Sequence, residues 1–500
     1  MNASSRRRFQ RLSSATAGLA AVANAGAATA PAKWAAPPAP PALRQQLAAG
    51  VFRFAREGVL GTSMDLLLRA ARPAEAQAWE QGMVAALAQW ARPLNQRDPD
   101  SEVRRVAAGA PVVSRELAAV LAAYERWEAR TGGALSARLG AAVELWQTAT
   151  LRPPDRDRLA AAVGSHTGLN VDALGKAYLV EQAAILGRDQ AVAGLVNLGG
   201  DLRAWGDETW RVGVADPREP AENAPLLAEF ALRDAAVATS GGYARYRELG
   251  GRRYSHLLDG RTGWVAEGAL SATVVAPDCL TANALATAAC VLGPAAGREL
   301  AETHRALGYL FVERDGTLTR GGCLDLTGAT AQPGTSAEPP PAGAAVGNGW
   351  PAGFRVAVKV VLKSPPGGRF KRPYVALWVE DGAGKVIRTV AFWGTKDKYF
   401  PEMTHWWDAT KGDERTLHSV SRATRSPGEY TLLWDGKDDA GRPVEQGRYR
   451  LCLEVNREHG RHVFEDTEVY CGAAPKTAAF KATAESEPGT VDYGPKIDPP

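Results

Sequence analysis

Apolar residues recur at intervals of three and four along three stretches of the N-terminal half, which is the spacing of one face of an α-helix. We predict a helix capped by Ser114 and stopped at Gly132-Gly133, and a later helix that begins at Asp172. The stripes consist mostly of aromatic and aliphatic side chains, so we interpret them as core. They comprise Ala76, Trp79, Met83, Leu87 and Trp90; Leu117, Val120, Leu121, Tyr124 and Trp127; and Leu174, Ala177, Tyr178, Ala184 and Ile185.

Strand signals surround and follow these helices. Residues 51–70 read as a hairpin that turns at Gly61-Thr62, and residues 193–206 are an apolar run broken by paired glycines and an acid. Residues 269–276 form another β-prone run, and a helix of small residues follows at 281–290. We therefore expect the N-terminal domain to be a mixed α+β (α/β) domain.

The C-terminal part has a different pattern, because β-prone runs are separated by turn residues with little helical periodicity. We expect an all-β, immunoglobulin-like sandwich from these runs. They are Phe354 to Leu362, Tyr374 to Glu380, Val386 to Trp393, Gly428 to Trp434 and Gly447 to Val455.

Charge and composition narrow the class of protein. The formal net charge of the 500 residues is +4, and four arginines within residues 1–30 account for it, so the remainder is neutral. Neutrality argues against a general nucleic-acid binder, and no stretch approaches 18 strongly apolar residues, so we expect no transmembrane segment. The arginines Arg6, Arg7, Arg8 and Arg11 precede an uncharged Ala-rich run, which predicts a twin-arginine signal and a periplasmic protein.

These patterns divide the chain into six segments. We predict a signal peptide at 1–30, a Pro/Ala-rich spacer at 31–50, the mixed α+β domain at 51–315 and a flexible linker at 316–349. The β-sandwich follows at 350–472, and a disordered tail at 473–500. The five cysteines show no CxxC spacing, and Cys452 with Cys471 is the one pair that we consider for a disulfide.

Candidate chemistry concentrates between residues 237 and 263. A β-prone run ends at Ala238 and breaks into small polar residues and glycines that can approach an anion closely. His256 follows and can act as acid, base or hydrogen-bond donor near neutral pH. A decorated turn with a structural histidine is the alternative interpretation.

A second candidate lies on the helix of small residues. Asn283 and Thr287 are four positions apart and therefore share one helix face. Two oxygen-bearing side chains on one turn suit a hard cation that holds a pyrophosphate. A polar helix edge is the alternative.

Eight short motifs, in this order, resemble the ApbE family of FAD:protein FMN transferases. They are Leu60 to Thr62, Ser101-Glu102, Thr131 to Ala134, Asp172 to Lys176, Asn197 to Asp201, Ala238 to Tyr243, His256 to Gly263 and Thr281 to Thr287. The C-terminal segment resembles DUF2271, an uncharacterised periplasmic domain found with ApbE-type domains.

The resemblance implies a domain that binds FAD with Mg²⁺ and transfers FMN to a Thr or Ser hydroxyl of a partner protein, releasing AMP. The acceptor would carry an Asp-x-x-Ser/Thr-Gly-Ala-Thr/Ser motif. His256 would handle the proton, and the metal ligands would be Ala173 (through its carbonyl), Asn283 and Thr287. The flavin dinucleotide would be lined by Leu60, Ala134, Leu135, Ser136, Asn170, Lys176 and His256.

Some positions depart from the family pattern. Asn283 and Ser136 stand where the family usually has Asp, and Gly260 stands where it usually has Pro. An amide brings no charge to Mg²⁺, so the metal affinity should fall. A catalytically weak or inactive periplasmic flavin-binding or interaction protein therefore remains as a second hypothesis.

Overall fold

The computed structural model describes residues 45–46, 50–60, 62–164, 168–189, 192–219, 221, 223–243, 245–324, 349–364, 372–394, 397–412, 421–422, 425, 427–458 and 460–495. The predicted signal peptide, most of the spacer and most of the linker lie outside these residues. Among the helices described, none combines the length and apolarity that crossing a bilayer requires.

The N-terminal domain is built on a nine-stranded antiparallel sheet with the order β1-β2-β3-β4-β5-β8-β11-β12-β13, and β6-β7 and β9-β10 form separate hairpins. Its elements are β1 (Gln45–Gln46), β2 (Val51–Val59), β3 (Thr62–Arg69), α1 (Pro73–Ala91), α2 (Glu102–Ala107), α3 (Arg115–Arg130), α4 (Gly140–Thr148), α5 (Arg156–Gly164), α6 (Asp172–Asp189), β4 (Gly194–Leu198), β5 (Asp201–Trp205), β6 (Trp210–Ala215), β7 (Leu226–Leu232), β8 (Ala236–Gly241), β9 (Tyr246–Leu249), β10 (Arg252–Ser255), β11 (Ser271–Ala276), α7 (Cys279–Leu292), α8 (Pro294–Thr303), β12 (Gly308–Val312) and β13 (Leu318–Gly322).

The main core lies between this sheet and helices α1, α3, α6 and α7, and a smaller core lies under the β6-β7 hairpin. The predicted helices and their caps are confirmed. The Ser114 hydroxyl accepts the N–H of Leu117 at 3.2 Å and starts α3, and α6 begins at Asp172 as expected. The predicted stripes are core at most positions, including the buried Met83, Tyr124 and Trp127. Trp79, Trp90 and Leu121 are half-buried, and the placement of Ile185 in the core is wrong, because its side chain is 40% exposed.

The C-terminal domain consists of two sheets that face each other across one apolar core, with strand orders β18-β14-β22-β21 and β17-β16-β15-β19-β20. All five predicted strands form with nearly the expected ends. The elements are β14 (Phe354–Leu362), β15 (Tyr374–Glu380), β16 (Val386–Trp393), α9 (Thr404–Thr410), β17 (Ser421–Arg422), β18 (Gly428–Trp434), β19 (Gly447–Asn456), β20 (His462–Cys471), β21 (Lys476–Phe480) and β22 (Ser486–Pro495).

The prediction of a disordered tail is wrong for residues 476–495. Strand β22 pairs with β14 and β21, and its Val491 and Tyr493 are buried in the core of the sandwich. The strand contains glycine and two prolines, which hide its alternating burial from a sequence pattern. The linker also begins later than expected, because β13 occupies residues 318–322 at the edge of the N-terminal sheet.

The disulfide considered between Cys452 and Cys471 is wrong. Both thiols are free and buried. They lie on opposite faces of one sheet: Cys471 belongs to the core between the sheets, whereas Cys452 packs under α9. A disulfide requires side chains that point toward each other, which this arrangement excludes.

Candidate active site

A buried polar cluster connects α6, β5 and α7 in the N-terminal domain. The Asn283 side-chain N–H₂ donates to Asp201 Oδ1 at 2.9 Å, and Lys176 Nζ lies 3.2 Å from Asp201 Oδ2. Asp201 is only 1% exposed. Burial raises the pKa of its carboxyl, while the Lys176 cation and the Asn283 amide oppose that increase. The amide that replaces the expected carboxylate therefore lies against another carboxylate.

Two oxygen atoms on α7 are available beside this carboxylate. Asn283 Oδ1 is buried and accepts no hydrogen bond within the described structure. One turn further, the buried Thr287 hydroxyl hydrogen-bonds to the Ser240 hydroxyl of β8 at 3.1 Å. A buried acceptor without a donor is costly, and this oxygen has the position and chemistry of a candidate metal ligand.

The tip of the β4-β5 hairpin positions these side chains. Gly199 and Gly200 adopt positive φ angles of 57° and 94°, which glycine accepts without strain. Lys176 Nζ donates to Gly199 O at 2.9 Å, so α6 is tied to this turn. Gly199 packs closely against Thr62, since a Cβ on Gly199 would lie only 2.5 Å from Thr62 Oγ1. The turn of the β2-β3 hairpin, which contains Leu60, therefore lies next to the β4-β5 turn.

His256 follows the β9-β10 hairpin. Its Nδ1 lies 3.0 Å from Arg245 O. Because a carbonyl oxygen only accepts, Nδ1 carries the proton and Nε2 keeps its lone pair in the neutral ring. The pKa of His256 lies below its usual value of 6.5, although the residue is exposed. Partial desolvation of the ring is the main cause, and the nearby cations of Arg245 and Lys176 lower the pKa further. The imidazole is therefore suited to accept a proton at neutral pH.

A second group of predicted site residues lies in the loop at 133–136. Ala134, Leu135 and Ser136 are all buried, and Ala134 O accepts the N–H of Gly260 at 2.9 Å. A Cβ on Gly260 would lie only 2.3 Å from Gly133 O. The close approach explains why glycine replaces the proline expected at position 260.

Asn170 and Ala173 begin α6. Asn170 Oδ1 accepts the N–H of Asp172 at 3.2 Å, and the backbone N–H of Asn170 donates to Ala137 O at 2.7 Å. Ala173 is half-buried, one helix turn before Lys176. The start of α6 is thus joined to the loop at 133–136 on one side and, through Lys176, to Asp201 on the other.

Asp201 and Ser240 are site residues to which the sequence pattern gives no role. Each lies inside one of the eight motifs, but no local pattern shows that Asp201 meets Asn283 or that Ser240 meets Thr287. A different carboxylate near Asn283 in sequence, Asp278, is occupied as the cap of α7, where it accepts from the Thr281 N–H and hydroxyl at 2.8 Å each.

Two family models match separate parts of the chain, and the similar proteins named below cover about half of it. The model of the ApbE family matches residues 60–311, and that of a family described as "Predicted periplasmic protein (DUF2271)" matches residues 355–490. A FAD:protein FMN transferase of Treponema pallidum is 32% identical over 305 residues, covering 52% of this chain and 84% of that protein. A FAD:protein FMN transferase of Haemophilus influenzae is 29% identical over 235 residues, covering 41% of this chain and 68% of that protein. A crystal structure of the ApbE protein from Thermotoga maritima covers 54% of this chain and 97% of that chain, with 25% identity and a TM-score of 0.49.

Proposed function

The chain belongs to the ApbE family, and we propose that it acts as a FAD:protein FMN transferase through the site that joins α6, α7 and His256. The enzyme moves the FMN half of FAD onto a hydroxyl of an acceptor protein. The new bond forms between the acceptor oxygen and the phosphorus on the flavin side, and the pyrophosphate bond breaks with AMP as the leaving group. The single observation that carries the proposal is the buried Lys176-Asp201-Asn283 cluster beside an exposed, neutral His256.

The donor set fits Mg²⁺. Mg²⁺ prefers oxygen ligands, and Asn283 Oδ1, the Thr287 hydroxyl and the Ala173 carbonyl would hold it. When bound, it offsets the negative charge that develops on the pyrophosphate oxygens. Asp201, which contacts Asn283, places a carboxylate beside the amide, and Lys176 pairs with the other oxygen of that carboxylate. This adjacent carboxylate favours a working transferase over a protein that only binds flavin.

His256 takes the proton of the acceptor hydroxyl. Its Nδ1 is held by the Arg245 carbonyl, so Nε2 is the basic nitrogen. Exposure of the ring is required here, because the hydroxyl arrives on another protein. The flavin dinucleotide binds along Leu60, the loop at 134–136, Asn170 and Lys176. The acceptor carries an Asp-x-x-Ser/Thr-Gly-Ala-Thr/Ser motif.

We place the protein in the periplasm. The match of its C-terminal domain to a family described as periplasmic supports this location. The paired Arg6 and Arg7 before an uncharged run support export by the twin-arginine route.

Incubation of the purified protein with FAD, Mg²⁺ and an acceptor peptide tests the function. Mass spectrometry should detect one added FMN on the peptide and release of AMP. His256→Ala should lower the transfer rate roughly 100- to 10,000-fold, because it removes the base, while FAD binding measured by fluorescence stays close to wild type. Unchanged turnover would remove His256 from the mechanism, and absence of any adduct with the wild-type protein would reject the function.

A further inference from the structure

Three side chains of the C-terminal domain, far along the chain from the flavin site, form a compact cluster. His405 lies at the start of α9, Glu454 lies on β19, and His462 is the first residue of β20. His405 Nδ1 is 3.3 Å from Glu454 Oε1, and His462 Nε2 is 2.5 Å from the same oxygen. The three ligand atoms all lie within 4.8 Å of one another.

The fold aims these side chains at one point. Glu454 pairs with Phe464, and Asn456 with His462, so Glu454 and His462 point to the same face of the sheet. Helix α9 covers that face through the buried Trp406. The His405 ring stacks on Phe464, with ring centres 4.3 Å apart and planes 5° apart, and this contact fixes its orientation.

Backbone groups hold the carboxylate in place. Glu454 Oε1 accepts the N–H of His405 at 3.1 Å, and Oε2 accepts the N–H of Trp406 at 2.9 Å. The Glu454 side chain is completely buried. Among the residues that the structure describes, the two histidines are the cation-forming groups within ion-pair distance of it.

Three nitrogen atoms converge on one carboxylate oxygen of Glu454. Glu454 Oε1 faces one backbone N–H and two imidazole nitrogens. Two imidazoles and one carboxylate are a donor set for Zn²⁺ with an open fourth position. With ligand bonds of about 2.0–2.1 Å in tetrahedral geometry, ligand atoms lie roughly 3.3 Å apart, which is the distance found between His405 Nδ1 and Glu454 Oε1.

We propose that His405, Glu454 and His462 bind one divalent transition-metal ion, with Zn²⁺ as the ion that the donor set fits. The bound ion joins α9 to β19 and β20. Both histidines are exposed, so the ion exchanges with solvent, and its fourth position is open to water or to a side chain of another protein.

Zinc titration of the full chain tests the site. Protein stripped with EDTA is titrated with Zn²⁺ in excess Mg²⁺, which occupies the oxygen-ligand site near Asn283. Wild type should bind one tight equivalent, and the His405→Ala/His462→Ala double variant should lose affinity by at least about 100-fold, more than the loss of an outer-shell partner causes. His304→Ala, which removes a histidine of the N-terminal domain, should bind as wild type.

Two further measurements guard against a folding defect in the double variant. Zn²⁺ should raise the thermal midpoint of Glu454→Gln less than that of wild type, because the variant lacks the carboxylate charge that binds the ion. Wild type loaded with Co²⁺ should show visible absorption of a four- or five-coordinate ion. A wild type without a tight equivalent or without this absorption, or a folded double variant with unchanged affinity, would overturn the proposal and leave a hydrogen-bonded His-Glu-His cluster.

Discussion

At the scale of single residues, Asn283 and Asp201 share a hydrogen bond of 2.9 Å in a buried site. The amide considered alone predicts weak metal binding. Asp201 places a carboxylate beside it, and Lys176 pairs with that carboxylate. We therefore expect a smaller gain from a carboxylate at position 283 than the sequence alone suggests.

Asp201→Asn should reduce Mg²⁺-dependent transfer by at least tenfold, since it removes the buried charge and about 1.4 kcal/mol accounts for each factor of ten. Titration of the transfer rate with Mg²⁺ measures this. Asp278→Asn is the matched control: asparagine caps helices about as well as aspartate, so this variant should leave both the cap of α7 and the Mg²⁺ dependence nearly unchanged. Full Mg²⁺-dependent activity in Asp201→Asn would show that the charge comes from elsewhere.

Asn283→Asp places a second carboxylate against Asp201. Without Mg²⁺, repulsion between the like charges should lower the thermal midpoint, and Mg²⁺ should restore it. Differential scanning calorimetry with and without the ion measures the difference. A midpoint that Mg²⁺ affects equally in wild type and variant would contradict the placement of the ion at this position.

The pH dependence of transfer follows from His256. The neutral ring is the active form, and its pKa lies below 6.5. The rate should therefore fall on the acid side, with the acid limb centred below pH 6.5. A profile of kcat/KM against pH measures it. An acid limb centred above pH 6.5, or one that persists in His256→Ala, would assign the titration to another group.

At the scale of elements, the site depends on two loops that touch through backbone atoms. The loop that begins at Gly260 meets the loop at 133–136, and there is no room between them for a Cβ. Such a contact couples the residues that we propose to line the flavin to the segment that carries His256.

Gly260→Ala should destabilise the protein by about 1–3 kcal/mol and weaken FAD binding, because the methyl group pushes the two loops apart. Gly82→Ala is the control, since a Cβ at this position of α1 meets nothing within 4 Å, and it should be neutral or slightly stabilising. Chemical denaturation and flavin fluorescence measure both quantities. If Gly260→Ala keeps the stability and the FAD affinity of the wild type, the two loops can separate without a cost in free energy, and the prediction is wrong.

At the scale of the whole molecule, two domains with separate cores touch through a few polar groups. Asn223 exchanges two hydrogen bonds with the backbone of Leu433, at 2.7 and 2.8 Å, and Arg355 pairs with Glu219. These contacts link the segment between β6 and β7 to strands β14 and β18.

Replacement of Arg6 and Arg7 by Lys should leave the unprocessed chain inside the cell, because the paired arginines are what the export route reads. Cell fractionation followed by immunoblotting measures the distribution. Lysine at Arg11 alone is the control, since it lies outside the pair. Normal processing of the double variant would indicate the general secretory route.

Much of the architecture follows from local patterns. The periodicity of apolar residues predicts α1, α3 and α6, and the run of small residues predicts α7. The β-prone runs predict β2 to β5, β8, β11, β14 to β16, β18 and β19, whereas the short strands between them and the β6-β7 and β9-β10 hairpins carry no comparable signal. The ordered motifs predict the family. Most of them lie at turns or helix starts, where the local backbone geometry needs particular residues. Strand β22 was missed because its pairing with β14 outweighs unfavourable local residues.

The contacts between distant residues were decided by the tertiary structure alone. Asp201 and Asn283 are separated by 82 positions, and His405 and Glu454 by 49. The sequence determined that Asn283 lies on a helix face and that His256 follows a turn, since these depend on neighbours along the chain. Which carboxylate compensates an amide, and which histidines meet a buried glutamate, depends on how the sheet and the helices pack, because side-chain interactions act over a few ångströms in space regardless of separation along the chain.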